Sequence, residues 1–246
     1  FPIALLSGGP GQNSNALSNV ATELSKTNKV ILIDQRGTGK SKVESINNTT
    51  INLNNYIEDI EAVRKKLKIK QWILLGHSWG GGLAMAASGK YPNSSAGMIL
   101  IGSLGIKNKT AIHAFSNLNY SEQDKAAMKF WSAPKQQKKN PERAAYELYR
   151  AILPSRLYEK SDINKILENH IVELNSSKIG QTMFKQLMQS NFDFSTKLKS
   201  YDKPVLIIQG RQGFMGGETV YDIKNSLSNS SLKYVEKSGH FPFIEQ

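Results

Sequence analysis

The sequence contains no cysteine, and this absence excludes several kinds of site at once. Disulfide bonds, thiolate-bound metals and a cysteine nucleophile all require this residue type. The chain also lacks any run of eighteen apolar residues, so no membrane-spanning helix is predicted. A protein without disulfides fits the cytoplasm or the periplasm, and we expect this one to be cytoplasmic.

No signal peptide is visible in the sequence. Phe1 stands at the edge of a predicted strand, and the last residues form a loop that follows His240. We therefore expect the sequence to be an ordered part of a longer protein. This expectation leaves a periplasmic or secreted location open.

Acidic residues are scarce relative to basic ones, with 20 Asp and Glu against 32 Lys and Arg and a formal net charge of +12. Such an excess is typical of proteins that bind nucleic acids or anionic surfaces. Here the lysines are scattered over polar helices, without interleaved aromatic residues or a basic glycine-rich tail. We interpret them as a solvated surface and expect neither nucleic acid nor membrane as a partner.

The chain does contain a regular alternation of strand and helix patterns. Its predicted strands are short, almost wholly apolar runs, which are typical of parallel strands covered on both faces. The first four lie at 3–6, 29–34, 72–75 and 98–101. This alternation predicts an α/β fold with a mostly parallel, doubly wound sheet.

The alternation stops after Gly102 and resumes a hundred residues later. The intervening residues show helical periodicity without a convincing strand, and they predict helices at 121–131, 141–153, 161–174 and 179–189. They hold 17 lysines and arginines against 10 acidic residues. We therefore predict a core whose first part is 1–103, an inserted helical cap at 104–203, and a second part of the core at 204–246.

One predicted strand leads directly into Gly76-His77-Ser78-Trp79-Gly80-Gly81, and a predicted helix follows. The pattern G-x-S-x-G at such a junction is typical of the nucleophile elbow of serine hydrolases. The serine takes a strained backbone position that excludes bulky neighbours, which explains the glycines. We predict Ser78 as a nucleophile, and the alternative is a plain glycine turn. The amide of Trp79, the next residue, is the expected first donor to an oxyanion.

A serine nucleophile needs a general base, and His240 is the best placed of the four histidines. It follows the last predicted strand in a loop from which it can reach the carboxyl edge of the sheet. The alternative is a loop histidine that hydrogen-bonds to the backbone. His77 adjoins Ser78 on a tight turn, so we interpret it as a packing residue, while His113 and His170 lie in the cap.

Glycine-rich segments follow the first two predicted strands. Ser7-Gly8-Gly9-Pro10-Gly11 lacks the Gly-Lys-Ser/Thr that a phosphate-binding loop needs downstream. Gly39-Lys40-Ser41 lacks the glycine five residues earlier, where Asp34 stands. An oxyanion loop needs only an amide donor, which Gly9 can supply. We interpret Asp34 and Arg36 as structural turn residues.

The chain combines four motifs: Ser7-Gly8-Gly9-Pro10-Gly11, Asp34-Gln35-Arg36-Gly37, the elbow at 76–81 and Ser238-Gly239-His240. Together they resemble the α/β-hydrolase fold and, more narrowly, the proline iminopeptidases. The resemblance spans nearly the whole chain and is weakest in the cap. It implies a Ser-Asp-His triad, a second oxyanion amide from Gly9, no metal or organic cofactor, and a small peptide or ester as substrate.

The triad acid is missing at the position that the resemblance implies. The family loop after the fifth strand reads Gly-Arg-x-Asp, and Gly213 stands at the last of these positions. A glycine cannot orient an imidazole. Three explanations stay open: an introduced change that inactivates the enzyme, a natural pseudoenzyme, or a carboxylate supplied by Glu218 or Asp222. We favour the first because the other motifs are intact, although Ser7 replaces the family's opening histidine.

The segment 167–170, Leu-Glu-Asn-His, resembles a Glu-Asn-His segment of the family's cap. The resemblance implies that Glu168 binds the substrate amine, and the alternative is a solvent-facing glutamate. The family's Trp-Glu pair is absent, since Ser132 follows Trp131, and the cap is basic. We predict an impaired serine aminopeptidase, with two alternatives: a carboxylesterase acting on small acyl esters, or a catalytically inactive binding protein.

Overall fold

The computed structural model describes residues 1–169 and 172–246. Within them six strands form one sheet: Ile3–Leu6 (β1), Val30–Ile33 (β2), Trp72–His77 (β3), Ser95–Ile101 (β4), Val205–Gly210 (β5) and Ser230–Val235 (β6). Every neighbouring pair is parallel, in the order β2-β1-β3-β4-β5-β6. The predicted α/β class with a parallel, doubly wound sheet is confirmed.

Helices connect these strands. In chain order the described α-helices are Ser18–Ser25 (α1), Leu53–Lys66 (α2), Trp79–Lys90 (α3), Asn108–Ser116 (α4), Glu122–Ser132 (α5), Pro134–Lys139 (α6), Pro141–Ile152 (α7), Ile163–Asn169 (α8), Ser176–Ser190 (α9), Ser195–Leu198 (α10), Glu218–Ser226 (α11) and Pro242–Glu245 (α12). Among them, none has both the length and the apolar character required to cross a bilayer.

The sheet is covered on both faces. Successive strand residues point to opposite sides, so Ala4 and Leu6 pack into one core cluster while Ile3 and Leu5 pack into another. The first cluster includes side chains of α2 and α3, and the second includes side chains of α1. Burial on both faces is the reason that the strands read as nearly unbroken apolar runs.

The register brings the carboxyl ends of the central strands to one edge of the sheet. Leu6 at the end of β1 pairs with Gly76, and His77 at the end of β3 pairs with Ile101 at the end of β4. Ile101 in turn pairs with Ile208 near the end of β5. The loops that follow these four strands therefore lie side by side.

Between β4 and β5 the chain forms α4 to α10, which we call the cap helices. The two ends of this insertion meet, since Lys107 and Asp193 form an antiparallel bridge. Hydrogen bonds from the Asn108 amide to the Phe192 carbonyl (2.8 Å) and from the Phe194 amide to the Ile106 carbonyl (2.9 Å) extend the pairing. The insertion thus leaves the sheet and returns to it at one place.

Three of the cap helices predicted from the sequence are confirmed within three residues at each end, namely α5, α7 and α9. The helix predicted at 161–174 was too long, because α8 ends at Asn169 and 174–175 form a turn. Sequence periodicity missed α4. Its buried side presents Thr110, Ala111 and Ala114, which are too small and polar to give an apolar stripe.

Candidate active site

Ser78 lies at the turn from β3 into α3 with backbone angles φ 55° and ψ −120°. Positive φ is uncommon for a residue with a side chain and marks local strain. A Cβ atom at Gly76 would collide with the Gly80 carbonyl oxygen, and one at Gly80 with the Leu6 carbonyl oxygen. Because both contacts are with backbone, the two glycines are required for the close packing of strand, turn and helix.

The elbow is joined to the loop after β1 by a chain of buried hydrogen bonds. The Trp79 indole nitrogen donates to Gln35 Oε1 at 2.8 Å, and Gln35 Nε2 donates to the Ser7 carbonyl at 2.8 Å. The Ser7 hydroxyl donates in turn to the Gln12 carbonyl at 2.8 Å. Sequence reasoning missed Gln35. The available signal was an amide side chain directly after an apolar strand, where burial requires partners for it.

The loop after β1 packs directly against the predicted nucleophile. A Cβ atom at Gly8 would lie 3.3 Å from Ser78 Cβ and 3.1 Å from His77 Nδ1. Gly9 has φ +110°, and a Cβ atom there would lie 2.6 Å from the Gly11 nitrogen. The structure thus brings the predicted oxyanion loop beside the predicted nucleophile, and the donor role of the Gly9 amide stays a prediction.

His240 is buried in the loop between β6 and α12. Its amide donates to the Arg156 carbonyl at 2.7 Å, and its own carbonyl lies 2.9 Å from His77 Nε2. Its ring packs 4.7 Å from the Phe214 ring and 4.8 Å from the His77 ring, between centroids. A Cβ atom at Gly102, directly after β4, would lie 3.2 Å from His240 Nδ1. His240 therefore lies at the carboxyl end of β4, the strand beside the one that carries Ser78.

Glu245 holds the His240 loop, and sequence reasoning missed it. Its carboxylate is buried and accepts hydrogen bonds from the amides of Gly239, Phe241 and Tyr158, each at 2.9 Å. The first two of these residues flank His240 in the chain. The available signal was a single acidic residue in the otherwise apolar run that ends the sequence.

A cavity of about 400 Å³ lies between the loop after β1 and the cap helices. Gly9 and Gln12 line it from the loop, and Tyr149, Arg156 and Phe184 line it from the insertion. No aspartate or glutamate belongs to the described part of this lining. The cavity is therefore mainly apolar, with neutral polar groups and one guanidinium.

Tyr149 is the buried phenol of this cavity. Burial raises its pKa above the ordinary value for tyrosine, although the Arg156 charge and a hydrogen bond from Gln12 act in the opposite direction. The Gln12 amide donates to the phenol oxygen at 3.1 Å. The phenol therefore stays protonated and neutral throughout the physiological range.

A family profile that describes the alpha/beta hydrolase fold matches residues 2–246. The chain belongs to the α/β-hydrolase family. This α/β hydrolase also resembles proline iminopeptidases, as its motifs predict. It is 39% identical to a proline iminopeptidase of Arabidopsis thaliana over 110 residues, which is 44% of this chain but only 28% of that relative.

Longer matches show lower identity. The α/β hydrolase is 27% identical to a proline iminopeptidase of Heyndrickxia coagulans over 263 residues, covering 100% of this chain and 86% of the relative. The crystal structure of a proline iminopeptidase of Mycobacterium smegmatis superposes with a TM-score of 0.75 at 18% identity, covering 100% of this chain and 85% of that one. At such identity the structural likeness shows the fold alone.

Position 213 of this α/β hydrolase, the predicted place of the triad acid, lies beside the segment that carries His240. Gly213 is buried, and a Cβ atom there would lie 2.8 Å from the carbonyl oxygen of Gly239, the residue before His240. The same atom would lie 2.5 Å from Gln209 Nε2. The Gln209 amide therefore fills the space into which an aspartate at 213 would extend. Within the described chain, Gln209 Oε1 is buried without a hydrogen-bond partner.

The other predicted acidic residues lie on surfaces. Glu218 is exposed at the first residue of α11, and Asp222 is half-buried one turn later. Glu168 is exposed on α8 and does not belong to the described lining of the cavity. The neighbouring His170 lies outside the described residues.

The interpretation of Asp34 and Arg36 as structural turn residues is confirmed. Asp34 accepts hydrogen bonds from the Ser14 hydroxyl and the Lys40 amide, both at 2.8 Å, and Arg36 Nε donates to Asp59 at 2.8 Å. Burial opposes ionisation of Asp34, but hydrogen bonds from Lys40 and Ser14 hold its pKa below the ordinary value. Asp34 and Arg36 also border a second cavity of about 320 Å³, whose described lining includes no residue of the elbow or of the His240 loop.

Proposed function

We propose that this α/β hydrolase cleaves small amide or ester substrates through an acyl-enzyme intermediate on Ser78. The observation that carries the proposal is the strained turn at Ser78, which packs against the Gly8-Gly9 loop. The strand that leads into this turn, β3, pairs with β4, and His240 lies at the carboxyl end of β4. A serine held at positive φ between two backbone contacts is a costly arrangement. Its use as a nucleophile accounts for that cost.

The proposed reaction has two steps. Ser78 Oγ attacks the substrate carbonyl carbon while His240 accepts the hydroxyl proton, and His240 then protonates the leaving group. The amides of Trp79 and Gly9 donate to the oxyanion, each contributing about 3 kcal/mol of transition-state stabilisation. Water then attacks the acyl-enzyme by the same sequence of proton transfers.

The first candidate substrate is a small peptide with a free N-terminus, because the curated relatives cited above are called proline iminopeptidases. Glu168 is the proposed partner of the substrate amine. With Gly213 in place of the acid, His240 lacks that carboxylate to orient it and to stabilise its charged form. Loss of the triad acid in a serine protease lowers turnover by about 10⁴-fold, so we propose that this chain turns over slowly.

The second candidate is a carboxylesterase, and the cavity favours it. The recognition of an ammonium group calls for carboxylates, and the described lining contains none. A mainly apolar cavity with a few polar groups is instead suited to an acyl chain.

A fluorophosphonate probe tests the shared step. We expect it to label Ser78 in the chain as it stands and faster in Gly213→Asp, whereas Ser78→Ala takes no label. Absence of label in both Ser78-containing proteins would contradict the proposal and favour a catalytically inactive binding protein.

The two candidates separate by substrate. Proline and alanine arylamides report the aminopeptidase, and short-chain nitrophenyl esters report the esterase. Glu168→Ala is expected to abolish arylamide hydrolysis alone, with Glu159→Ala as the matched exposed glutamate of the insertion. Equal loss in the two variants would argue against an amine-binding role for Glu168.

A further inference from the structure

The 400 Å³ cavity shares its walls with the candidate active site. A Cβ atom at Gly8 would lie 2.9 Å from Gln12 Oε1 in the cavity wall and 3.3 Å from Ser78 Cβ. On the other side, the Arg156 carbonyl accepts the His240 amide at 2.7 Å. Neither Ser78 nor His240 belongs to the described lining, but residues of the cavity wall lie beside the segments that carry both, so the cavity lies next to the candidate active site.

Arg156 differs from the other half-buried arginines of the described chain. Arg36 and Arg64 are each paired with a carboxylate, Asp59 and Glu61 respectively. Arg156 makes no ion pair with a described residue, and its Nε atom is buried without a hydrogen-bond partner there. Its guanidinium carbon lies 5.6 Å from the centroid of the Phe214 ring, which contacts the His240 ring.

The Phe214 ring faces this guanidinium, but no described carboxylate balances its charge, and a carboxylate is the natural partner of a partly desolvated guanidinium. The planar fork of donors matches two carboxylate oxygens, and such charge-assisted bonds are about twice as strong as neutral ones. A substrate ammonium at this place would be repelled by Arg156 and would find no carboxylate in the described lining. The charge of the cavity thus selects against cations.

The shape of the cavity indicates what the rest of the ligand is like. Met128, Leu148, Ile152 and Phe184 present apolar surface around it. A volume of about 400 Å³ is near the lower end for small-molecule sites. The lining therefore suits a short hydrocarbon stem that ends in a charged group.

We propose that the cavity binds the acyl part of a substrate whose short apolar stem ends in a carboxylate, with Arg156 as the residue that recognises this carboxylate. The proposal rests on the acyl-enzyme reaction at Ser78 that the proposed function describes, and it argues against the cationic substrate of the first candidate. It predicts that monoamides and monoesters of small dicarboxylic acids are preferred over substrates with a terminal methyl or ammonium group.

Binding to the Ser78→Ala protein tests this without any catalysis. Calorimetry compares glutaric acid mono-4-nitroanilide with pentanoic acid 4-nitroanilide, which has a methyl group in place of the carboxylate. We expect the glutaryl compound to bind at least about tenfold more tightly, as a charge-assisted bidentate contact implies. Equal affinity of the two compounds would overturn the proposal.

Substitution of Arg156 in the same Ser78→Ala background shows whether this residue is responsible for the preference for the glutaryl compound. Arg156→Met is expected to bring the ratio of the two affinities close to one, while Arg150→Met, an exposed arginine of α7, leaves the ratio unchanged. If Arg156→Met does not fold, Arg156→Gln serves as the neutral variant with the same expected result. A preference that survives the neutral variant would overturn the role of Arg156. Failure of fluorophosphonate labelling, by contrast, would contradict the nucleophile and leave this binding result intact.

Discussion

At the scale of single residues, position 213 determines how completely the proposed triad is assembled. Gly213 sits beside the segment that carries His240, but it has no side chain to offer, and the Gln209 amide fills the adjacent space. The backbone around position 213 therefore has to adjust before it can accept the side chain of an acid. An aspartate at this position requires both Gln209 and the Gly239 carbonyl to move, because a Cβ atom would lie 2.5 Å from Gln209 Nε2 and 2.8 Å from that carbonyl oxygen.

Replacing Gly213 by aspartate is expected to raise hydrolysis by at least about a hundredfold, because the carboxylate would orient His240 and stabilise its charged form. Steady-state kinetics on the preferred nitrophenyl ester or arylamide measures the change. Gly213→Asn is the matched control, since it has the same size without the charge. A similar gain in both variants, or in neither, would show that a missing carboxylate is not what limits turnover.

Sequence reasoning predicted the positions of Ser78 and His240 in the fold because each depends on a local pattern, a glycine-flanked elbow in one case and a loop after the last strand in the other. Gln35 and Glu245 escaped it because their partners are distant in sequence or belong to the backbone. Gln35 joins Ser7 to Trp79, and Glu245 bonds to three amides. The residue types of those partners do not indicate that the contacts form.

At the scale of elements, one of the two shortest described α-helices has a large effect on the site. α12 is four residues long, and it carries Glu245, whose carboxylate bonds to the amides on both sides of His240. A carboxylate offers only acceptors to these amides, which is what three converging N–H groups require.

Glu245→Gln keeps the size of the side chain but turns an NH₂ group towards amide donors. We expect the free energy of unfolding to fall by about 1–3 kcal/mol, because buried donors lose their acceptor. Chemical denaturation measures this loss. We also expect fluorophosphonate labelling of Ser78 to slow by about tenfold or more, since His240 loses its fixed position.

Glu44→Gln provides the comparison, because Glu44 is exposed in the loop between β2 and α2. It should leave stability within about 0.5 kcal/mol of the parent. An unchanged labelling rate in a folded Glu245→Gln protein would contradict the positioning role.

The strands were predictable because their residues are buried on both faces and read as apolar runs. The cap helices were predictable only in part. α5, α7 and α9 carry amphipathic patterns, whereas α4 packs through small residues and α6 is a six-residue helix without an apolar side chain other than its first proline. Short helices of that kind depend on their neighbours, so their own sequence gives little signal.

At the scale of the whole molecule, the insertion is fastened to the core by Glu173. Its carboxylate accepts hydrogen bonds from the Asn13 side chain at 2.6 Å and from the Gly39 amide at 2.8 Å. Close by, the Ser176 hydroxyl donates to the Gly11 carbonyl at 2.7 Å. Both contacts reach the loop regions that follow β1 and β2.

Glu173→Ala removes the acceptor of both bonds, and we expect it to lower the free energy of unfolding by about 1–3 kcal/mol. Limited proteolysis should then cut the insertion faster than the sheet, because the fastening is lost at the insertion alone. Glu122→Ala is the control, as this glutamate of α5 is 90% exposed. Equal cleavage rates in the two variants would show that Glu173 does not fasten the insertion.

The bridge between Lys107 and Asp193 holds the two ends of the insertion side by side, so that another segment could in principle be inserted in its place. Two hydrogen bonds limit such an exchange, because they join the insertion to the loop that carries His240. The Arg156 carbonyl accepts the His240 amide, and the Tyr158 amide donates to the Glu245 carboxylate. A recombined protein in which the whole insertion is replaced would acquire a new binding cavity. It would also lose the hydrogen bonds that hold the loop of His240, the proposed general base. Chimaeras of this α/β hydrolase are therefore expected to fold and keep His240 in place when residues 153–158 are retained. Natural relatives that vary the insertion are expected to vary least at these positions.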